Sequence, residues 1–438
     1  MNLKLSKSKL YLKSIEFIFI WCIMQDFVLS TLYNFLNNSA LINILFYSKD
    51  VLFVALFLKS LNKINLHKFY GKLLISYLTV VIIAIFIALI RGGSFANIAQ
   101  NIRSAVLLPC FVNIGYSIAD SRRKEFDTFV KTKYMRWIFA SVIFGLLDYV
   151  LDKFVGTKDI WRTIIGFTNF MTDIKHQSGR LVYGLPGNFY GYSSAGYFSR
   201  KRLVGFWGNP LTSGYSLLIP GFYYLLSLLN IKAHRINIRT IKVFLGCMLI
   251  ISGVFLSYTR IVIVLLIFIF SIYAFLNARK YMPALLTITV GLLAFLFSID
   301  YSSIMRFLYD GSTIGHINNL NGAIDNIRFS LFGHGINYAG AEGASGIGTE
   351  STYMTLFGNV GVVGLALFTS LLLYLLRCIQ KVFKYSSNMT RAVFLSGLGL
   401  MVTGLISEQL LAYTTIAPFY ILLGYEYANS GKNLHNTH

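Results

Sequence analysis

Apolar runs recur from one end of this 438-residue chain to the other. A helix of about 20 mostly apolar residues crosses a bilayer core, where it satisfies its own backbone polar groups. Only 13% of the residues are charged, whereas a soluble domain carries about 25%. The pattern predicts an all-α polytopic membrane protein, a single integral membrane domain over 1–438 with about twelve transmembrane helices. The predicted spans lie near 15–36, 40–58, 73–90, 98–119, 137–153, 211–230, 243–257, 261–277, 282–299, 352–376, 392–407 and 411–428.

The net charge of +22 is distributed unevenly between the connections. Alternate connections hold most of the lysines and arginines, and basic loops stay on the cytoplasmic side of a membrane. This asymmetry predicts that both termini are cytoplasmic. No basic stripe accompanies a soluble fold, so the charge is interpreted as an orientation signal, the lipid bilayer is the expected partner, and nucleic acid is not.

Two of the outward connections are long, one over 154–210 and the other over 300–351. Both are rich in Gly, Ser, Asn and Tyr, and any chemistry is expected there. Aromatic residues of the first loop, including Trp161, Phe189 and Tyr190, are interpreted as interfacial, with stacking on sugars as the alternative. The four cysteines have no paired spacing and the outer loops contain no D-x-D motif, so neither a metal nor a cofactor is expected.

Charged residues interrupt two predicted spans. A charge at a helix centre costs about 2.5–3.5 kcal/mol on insertion scales, so such residues usually face a polar cavity. Lys49 and Asp50 are interpreted as a neutralised pair near one membrane face. Arg103 has no acidic neighbour in its own helix, and two interpretations stay open: a contact with an anionic ligand, or a structural pair with Asp26 or Asp148.

The segment RKRLVGFWGNPLTSGY joins the first long loop to a predicted span. Arg200, Lys201 and Arg202 are consecutive cations on the outer side, and Asn209 stands just before the helix start. Unpaired N–H groups and a positive dipole end at a helix start favour an anionic ligand. The alternative is a cationic anchor for lipid head groups.

The segment SYTRIVIVLLIF places Arg260 in a turn between two spans. A guanidinium fixed between helices can present two parallel N–H groups to a phosphate. A side chain that merely reaches the membrane interface is the alternative.

The second long loop and its exit read IRFSLFGHGINYAG and, nine residues further on, TESTYMTLFGNVGVVG. Arg328, His334, Glu350 and Tyr353 are the candidate residues of this region. Glu350 precedes a span, where it suits a general base for a sugar hydroxyl or an acid favoured by the helix dipole. His334 is a second candidate base, or a hydrogen-bonding loop residue.

These three motifs, in this order, resemble the O-antigen polymerase (Wzy-type) branch of the superfamily that also holds the O-antigen ligases. The resemblance implies a fold related to the membrane glycosyltransferases called GT-C and a metal-independent, inverting reaction on oligosaccharides linked to undecaprenyl pyrophosphate. Arg202 and Arg260 match arginines expected to hold the pyrophosphate. Glu350 occupies the place where ligase relatives carry a histidine, which favours polymerase over ligase.

The expectation is therefore a polymerase that transfers a growing glycan from undecaprenyl pyrophosphate to a hydroxyl of another lipid-linked repeat unit, building O-antigen or capsular polysaccharide. It would face the exterior of a bacterial cytoplasmic membrane, and a chain-length regulator is a further possible partner. An O-antigen ligase and a polysaccharide-unit flippase are the alternatives. Catalysis is assigned to Glu350, Arg260 and His334. Substrate binding is assigned to Arg202, Arg103, Arg328, Arg200, Asn209 and Tyr353.

Overall fold

The computed structural model describes residues 2–64, 66–175, 181–182, 184–192, 198–230, 237–277, 311–340 and 347–435. Helices make up most of these ranges. They are α1 Asn2–Leu36, α2 Ser39–Ser60, α3 Phe69–Ile90, α4 Phe95–Ser121, α5 Arg123–Phe129, α6 Met135–Phe154, α7 Phe167–Asn169, α8 Pro210–Ser216, α9 Leu218–Leu229, α10 Ile238–Leu256, α11 Arg260–Asn277, α12 Gly311–Asn326, α13 Thr352–Lys381, α14 Asn388–Thr403 and α15 Tyr413–His435. Two short hairpins lie in the first long loop: β1 Leu181–Val182 with β2 Leu185–Pro186, and β3 Tyr190–Tyr192 with β4 Phe198–Lys201.

Six stretches of the described chain are helical, long enough and apolar enough to cross a membrane, so the chain is a multi-pass helical membrane protein. These stretches are 9–36, 39–63, 69–90, 101–121, 123–154 and 352–381. The predicted spans at 211–230, 243–257, 261–277, 392–407 and 411–428 overlap helices α8 to α11, α14 and α15. The predicted span at 282–299 lies outside the described residues.

Helices α4 and α15 pack at backbone distance. A Cβ atom added to Gly115 would lie 1.9 Å from the carbonyl oxygen of Ile421, and one added to Gly424 would lie 1.9 Å from that of Val112. Small residues at a helix interface are what allows such an approach in a membrane bundle. These contacts hold the second half of α4 against the middle of α15.

One end of the bundle gathers the connections that matter for the site. We call it the rim and define it by the α1–α2, α3–α4, α10–α11 and α14–α15 connections at 37–38, 91–94, 257–259 and 404–412. Both long loops cover this end. Asn34 at the end of α1 donates to Thr163 and Ile164 of the first loop, and Arg91 at the end of α3 donates to His334 of the second.

The first loop has a core of its own. Trp161, Phe189 and Tyr190 are buried in it, and the indole nitrogen of Trp161 donates to Asp148 at 2.9 Å. The interfacial interpretation of these three aromatic residues is wrong, since they pack against one another and against α1 and α2 rather than facing lipid head groups. Their burial fixes the path of the chain into α8.

Helix α13 is broken at Gly361, whose φ of 73° and ψ of −174° are non-helical. The break frees backbone groups at 358–363, and the loop at 330–335 takes them up in four hydrogen bonds of 2.8 to 3.2 Å. Irregular backbone is tolerated near a bilayer where protein satisfies it in this way. About 20 residues follow the break, enough for one span, so the preceding turns of α13 stand at the rim.

Candidate functional site

The structure brings the RLVGFWGNPLTSGY and SYTR motifs together. The Nε of Arg202 donates to the carbonyl of Ser257 at 2.8 Å, and one Nη lies 3.4 Å from the hydroxyl of Thr259. The next amide, Leu203, donates to Leu256 at the end of α10. The hydroxyl of Thr259 in turn donates to the carbonyl of Pro210 at 3.1 Å. The arginine segment is thereby tied both to the α10–α11 turn and to the start of α8.

Arg202 and Arg260 form a pair of like charges at this turn. Burial, and after it the positive charge of Arg260, lower the pKa of Arg202 to about 10. Arg202 is still protonated at neutral pH and lies close enough to Arg260 to feel its positive charge. A half-buried pair of like charges is unfavourable by itself, and an anion placed between the two groups would relieve it. The pair is suited to a phosphate or diphosphate.

The neighbouring predicted residues have different environments. Asn209 caps α8: its Oδ1 accepts from the amides of Leu211 and Thr212, so these N–H groups already have a partner. The backbone of Arg200 pairs with Gly191 across the β3–β4 hairpin, and its side chain lies outside what the structure describes. Ligand binding by Asn209 and Arg200 stays a prediction.

Lys201 differs from its two cationic neighbours. Its side chain is only 3% exposed, and its ammonium lies 2.7 Å from Asp148 and 3.7 Å from Asp152. It also contacts the hydroxyl of Thr157. Adjacent residues of a strand point to opposite faces, which explains why this lysine enters the core while Arg202 reaches the α10–α11 turn.

Glu350 is half-buried immediately before α13. Its Oε1 accepts from Asn319 of α12 at 3.3 Å. The next residue, Ser351, caps α13 and donates to the carbonyl of Gly404, while the hydroxyl of Thr352 donates to Ser407 at 2.7 Å. The two residues that follow Glu350 are thus held at the rim by the α14–α15 connection, and its carboxylate is held by α12.

A second rim acid was missed by sequence reasoning. Glu408 lies in the 3₁₀ helix Glu408–Leu411, and its carboxylate accepts from the hydroxyl of Thr355 in the second turn of α13. Glu350 and Glu408 therefore flank the first turns of one helix. The available signal was a charged residue in a very short outward turn. The same signal identified Arg260 as a candidate.

Polar contacts connect the arginine pair to the acids. The hydroxyl of Thr415, near the start of α15, lies 3.4 Å from that of Thr212 in α8 and donates to Gln409 at 2.9 Å. Thr212 is two residues after Pro210, whose carbonyl accepts from the hydroxyl of Thr259. Gln409 is next to Glu408 in the chain. We call the chain of contacts from Arg202 through Thr415 to Glu408 the rim network.

The remaining residues of the second loop have local roles. The Nε2 of His334 lies 2.9 Å from the carbonyl of Arg328, and its ring packs on Tyr338 with centroids 4.4 Å apart. A carbonyl partner makes this nitrogen the protonated one. The side chain of Arg328 is exposed, and the hydroxyl of Tyr353 donates to Met401 at 2.7 Å. These contacts position the loop; a role of the three residues on substrate stays a prediction.

The charges inside the spans are paired differently from the sequence expectation. Arg103 forms a salt bridge with Asp50 at 3.1 Å, so the expected partners Asp26 and Asp148 are both wrong. They pair instead with Lys175 and Lys201. Lys49 and Asp50, which were expected to form a neutralised pair, are not in a salt bridge with each other, because Asp50 pairs with Arg103 and Lys49 donates to the carbonyl of Phe46. Neighbouring helix residues point about 100° apart, which favours partners on other helices.

In the residues that the structure describes, no group of three or more His, Cys, Asp or Glu side chains is placed to hold a metal ion. No protein-family model matches the chain, and comparison with curated proteins finds no significant match.

Proposed function

We propose that this chain is an oligosaccharide repeat-unit polymerase with a GT-C-like fold of about twelve spans and both termini in the cytoplasm. In this proposal the rim faces the exterior of a bacterial cytoplasmic membrane. The observation that carries it is the rim network, which connects the half-buried Arg202, beside Arg260, to Glu408 at the first turns of α13, and Glu350 lies immediately before the same helix. A chain-length regulator would be a further partner.

The reaction breaks the bond between sugar C1 and the phosphate oxygen of undecaprenyl pyrophosphate. The bonding electrons leave with the diphosphate, and fixed donors that face a developing charge accelerate such a step. Arg202 and Arg260 supply these donors. An anion bound there is stabilised further, because it relieves the charge repulsion between the two guanidinium groups. The leaving group thereby needs no acid to protonate it.

The new bond forms between C1 and a hydroxyl oxygen of the second lipid-linked repeat unit. Attack from the face opposite the diphosphate inverts the configuration at C1. The hydroxyl proton passes to a carboxylate, for which a positioned acid at the rim is suited. Glu350, which is half-buried and accepts a hydrogen bond from Asn319, is the proposed base. Glu408 is the alternative base at the same helix start.

The test is a transfer assay with the purified full-length protein and a lipid-linked repeat unit. Wild type is expected to produce a ladder of polymer lengths. R260Q and E350Q are expected to lose about 100-fold or more in rate, the loss typical of removing an oxyanion donor or a general base. R162Q is the matched control, since Arg162 is an exposed cation of the first loop that pairs with Asp159.

Transfer of finished glycan to a different acceptor, without a ladder, would identify a ligase instead. Movement of the lipid-linked unit across the membrane, without any new glycosidic bond, would identify a flippase. A full ladder from both R260Q and E350Q would remove these residues from the mechanism.

A further inference from the structure

A second cluster of charges surrounds Tyr413, the first residue of α15. Two cations lie near the ring of Tyr413: its centroid is 5.6 Å from the Lys49 ammonium and 5.7 Å from the Arg103 guanidinium carbon. Lys49 and Asp50 come from α2 and Arg103 from α4. Three helices thus converge on one position.

The positive charges of this cluster exceed the negative ones. Asp50 engages Arg103 through a single nitrogen, Nη1, at 3.1 and 3.4 Å. Lys49 is 2% exposed and forms no salt bridge with any described residue; it donates to the carbonyl of Phe46 and lies over that ring. The nearby acid of α1, Asp26, is already paired with Lys175. One cation is therefore left over.

The cluster also contains a buried donor without a partner. Within the described part of the chain, the hydroxyl of Tyr413 accepts and donates no hydrogen bond, although the residue is 6% exposed. Burying a hydroxyl without a partner costs free energy, because its hydrogen bonds to water are lost and nothing replaces them. Arg103, by contrast, is 31% exposed in its side chain, so the cluster is open on that side.

The start of α15 separates this cluster from the arginine pair of the rim. Tyr413 faces Lys49 and Arg103, whereas Thr415, two residues on, faces Thr212 of α8 and the rim network. Residues two apart in a helix point about 200° apart. The two cationic groups therefore lie on opposite sides of one helix.

We infer that Lys49, Arg103 and Tyr413 form a second phosphate site, which holds the diphosphate of the acceptor lipid. The inference rests on the proposed function, because a polymerase joins two lipid-linked substrates that each carry a diphosphate. The arginine pair would hold the diphosphate that leaves, and the Lys49 site the one that stays attached. An ammonium, a guanidinium and a phenol are all donors, which matches the acceptor-only oxygens of a phosphate.

The test measures the number of geranylgeranyl diphosphate molecules bound to the purified full-length protein, by native mass spectrometry and by titration. Wild type is expected to bind two. K49M and R103Q are expected to bind one, with the second site weakened about 10- to 100-fold, as for loss of a charged hydrogen bond. K59M, at the other end of α2, is the matched control and is expected to bind two.

A companion variant keeps the result independent of misfolding. D50N removes the acid that partly neutralises Arg103, so it is expected to tighten the second site several-fold, which a damaged fold would not do. R260Q is expected to remove the first site and leave the second intact. Two bound molecules in R260Q would count against the proposed function, whereas two in K49M would overturn the present inference.

Competition identifies the source of the phosphate. Inorganic pyrophosphate and phosphatidylglycerol are each added at a concentration equal to that of geranylgeranyl diphosphate. Neither is expected to displace the molecule at the Lys49 site. Displacement by pyrophosphate would show a site for a free phosphate, displacement by phosphatidylglycerol would show an ordinary lipid site, and each result would overturn the assignment.

Discussion

Substitution of Gly361 by alanine tests the break in α13 most sharply. Its φ of 73° and ψ of −174° lie in a region that is essentially restricted to glycine, and a non-glycine residue there costs about 1–3 kcal/mol. An added Cβ would lie 2.2 Å from the amide nitrogen of Gly333 and 2.4 Å from the carbonyl oxygen of Leu331. The loop at 330–335 must therefore move away.

When the loop moves, the four backbone hydrogen bonds that join it to 358–363 are broken. At about 1 kcal/mol each, together with the strain of about 1–3 kcal/mol, the local cost is about 5–7 kcal/mol if the loop detaches fully. Because 1.4 kcal/mol is tenfold in an equilibrium constant, amide protection in these two segments should fall by about three orders of magnitude or more.

Hydrogen exchange read by mass spectrometry on the purified protein measures this loss. G322A is the matched control, because Gly322 lies on α12 with no atom within 4 Å of an added Cβ, and it is expected to leave protection unchanged. Unchanged protection at 330–335 in G361A would refute the account of the broken helix.

Three further predictions concern packing, burial and pH. K201M leaves Asp148 buried without its ammonium and is expected to destabilise the fold by about 3–5 kcal/mol, seen as a lower melting temperature; an unchanged value would contradict the buried pair. G115V is expected to force α4 and α15 apart and to cost about 1–3 kcal/mol or more, because its Cβ meets the carbonyl of Ile421; melting at the wild-type temperature would refute this contact. Diphosphate binding at Arg202 is expected to weaken as pH rises through about 10, since burial and the neighbouring arginine lower that pKa and the neutral form binds no anion. Titrations between pH 8 and 11 measure it, and affinity constant over that range would contradict the pair.

The long apolar runs predicted the helices, because a segment that crosses lipid must be apolar and must satisfy its own backbone polar groups. Six stretches meet the criteria of length and apolarity in the structure, and α4 carries Arg103 inside its span, as the sequence indicated. The partner of that arginine was not predictable, since nothing in a single helix says which neighbour it faces. Asp50 became the partner only once α2 and α4 were packed together.

The candidate site was predicted in parts. Arg202 and Arg260 were identified from separate motifs, and only the pairing of 202–203 with the end of α10 shows that they meet. Glu408 was not predicted as a site residue, because in the sequence an acid in a short turn resembles any solvated loop residue. The burial of Trp161 was not predicted either, because a loop that forms its own aromatic core shows no periodic sequence pattern.

The central claim is that Arg202 and Arg260 hold one and the same leaving diphosphate. A double-mutant cycle on the rate of glycan transfer, with R202Q, R260Q and the double variant, tests it most directly. Residues that act as a unit are strongly non-additive, so each single variant should lose about 100-fold and the double variant little more. Losses that multiply, about 10,000-fold in the double variant, would show that the two arginines act on separate groups.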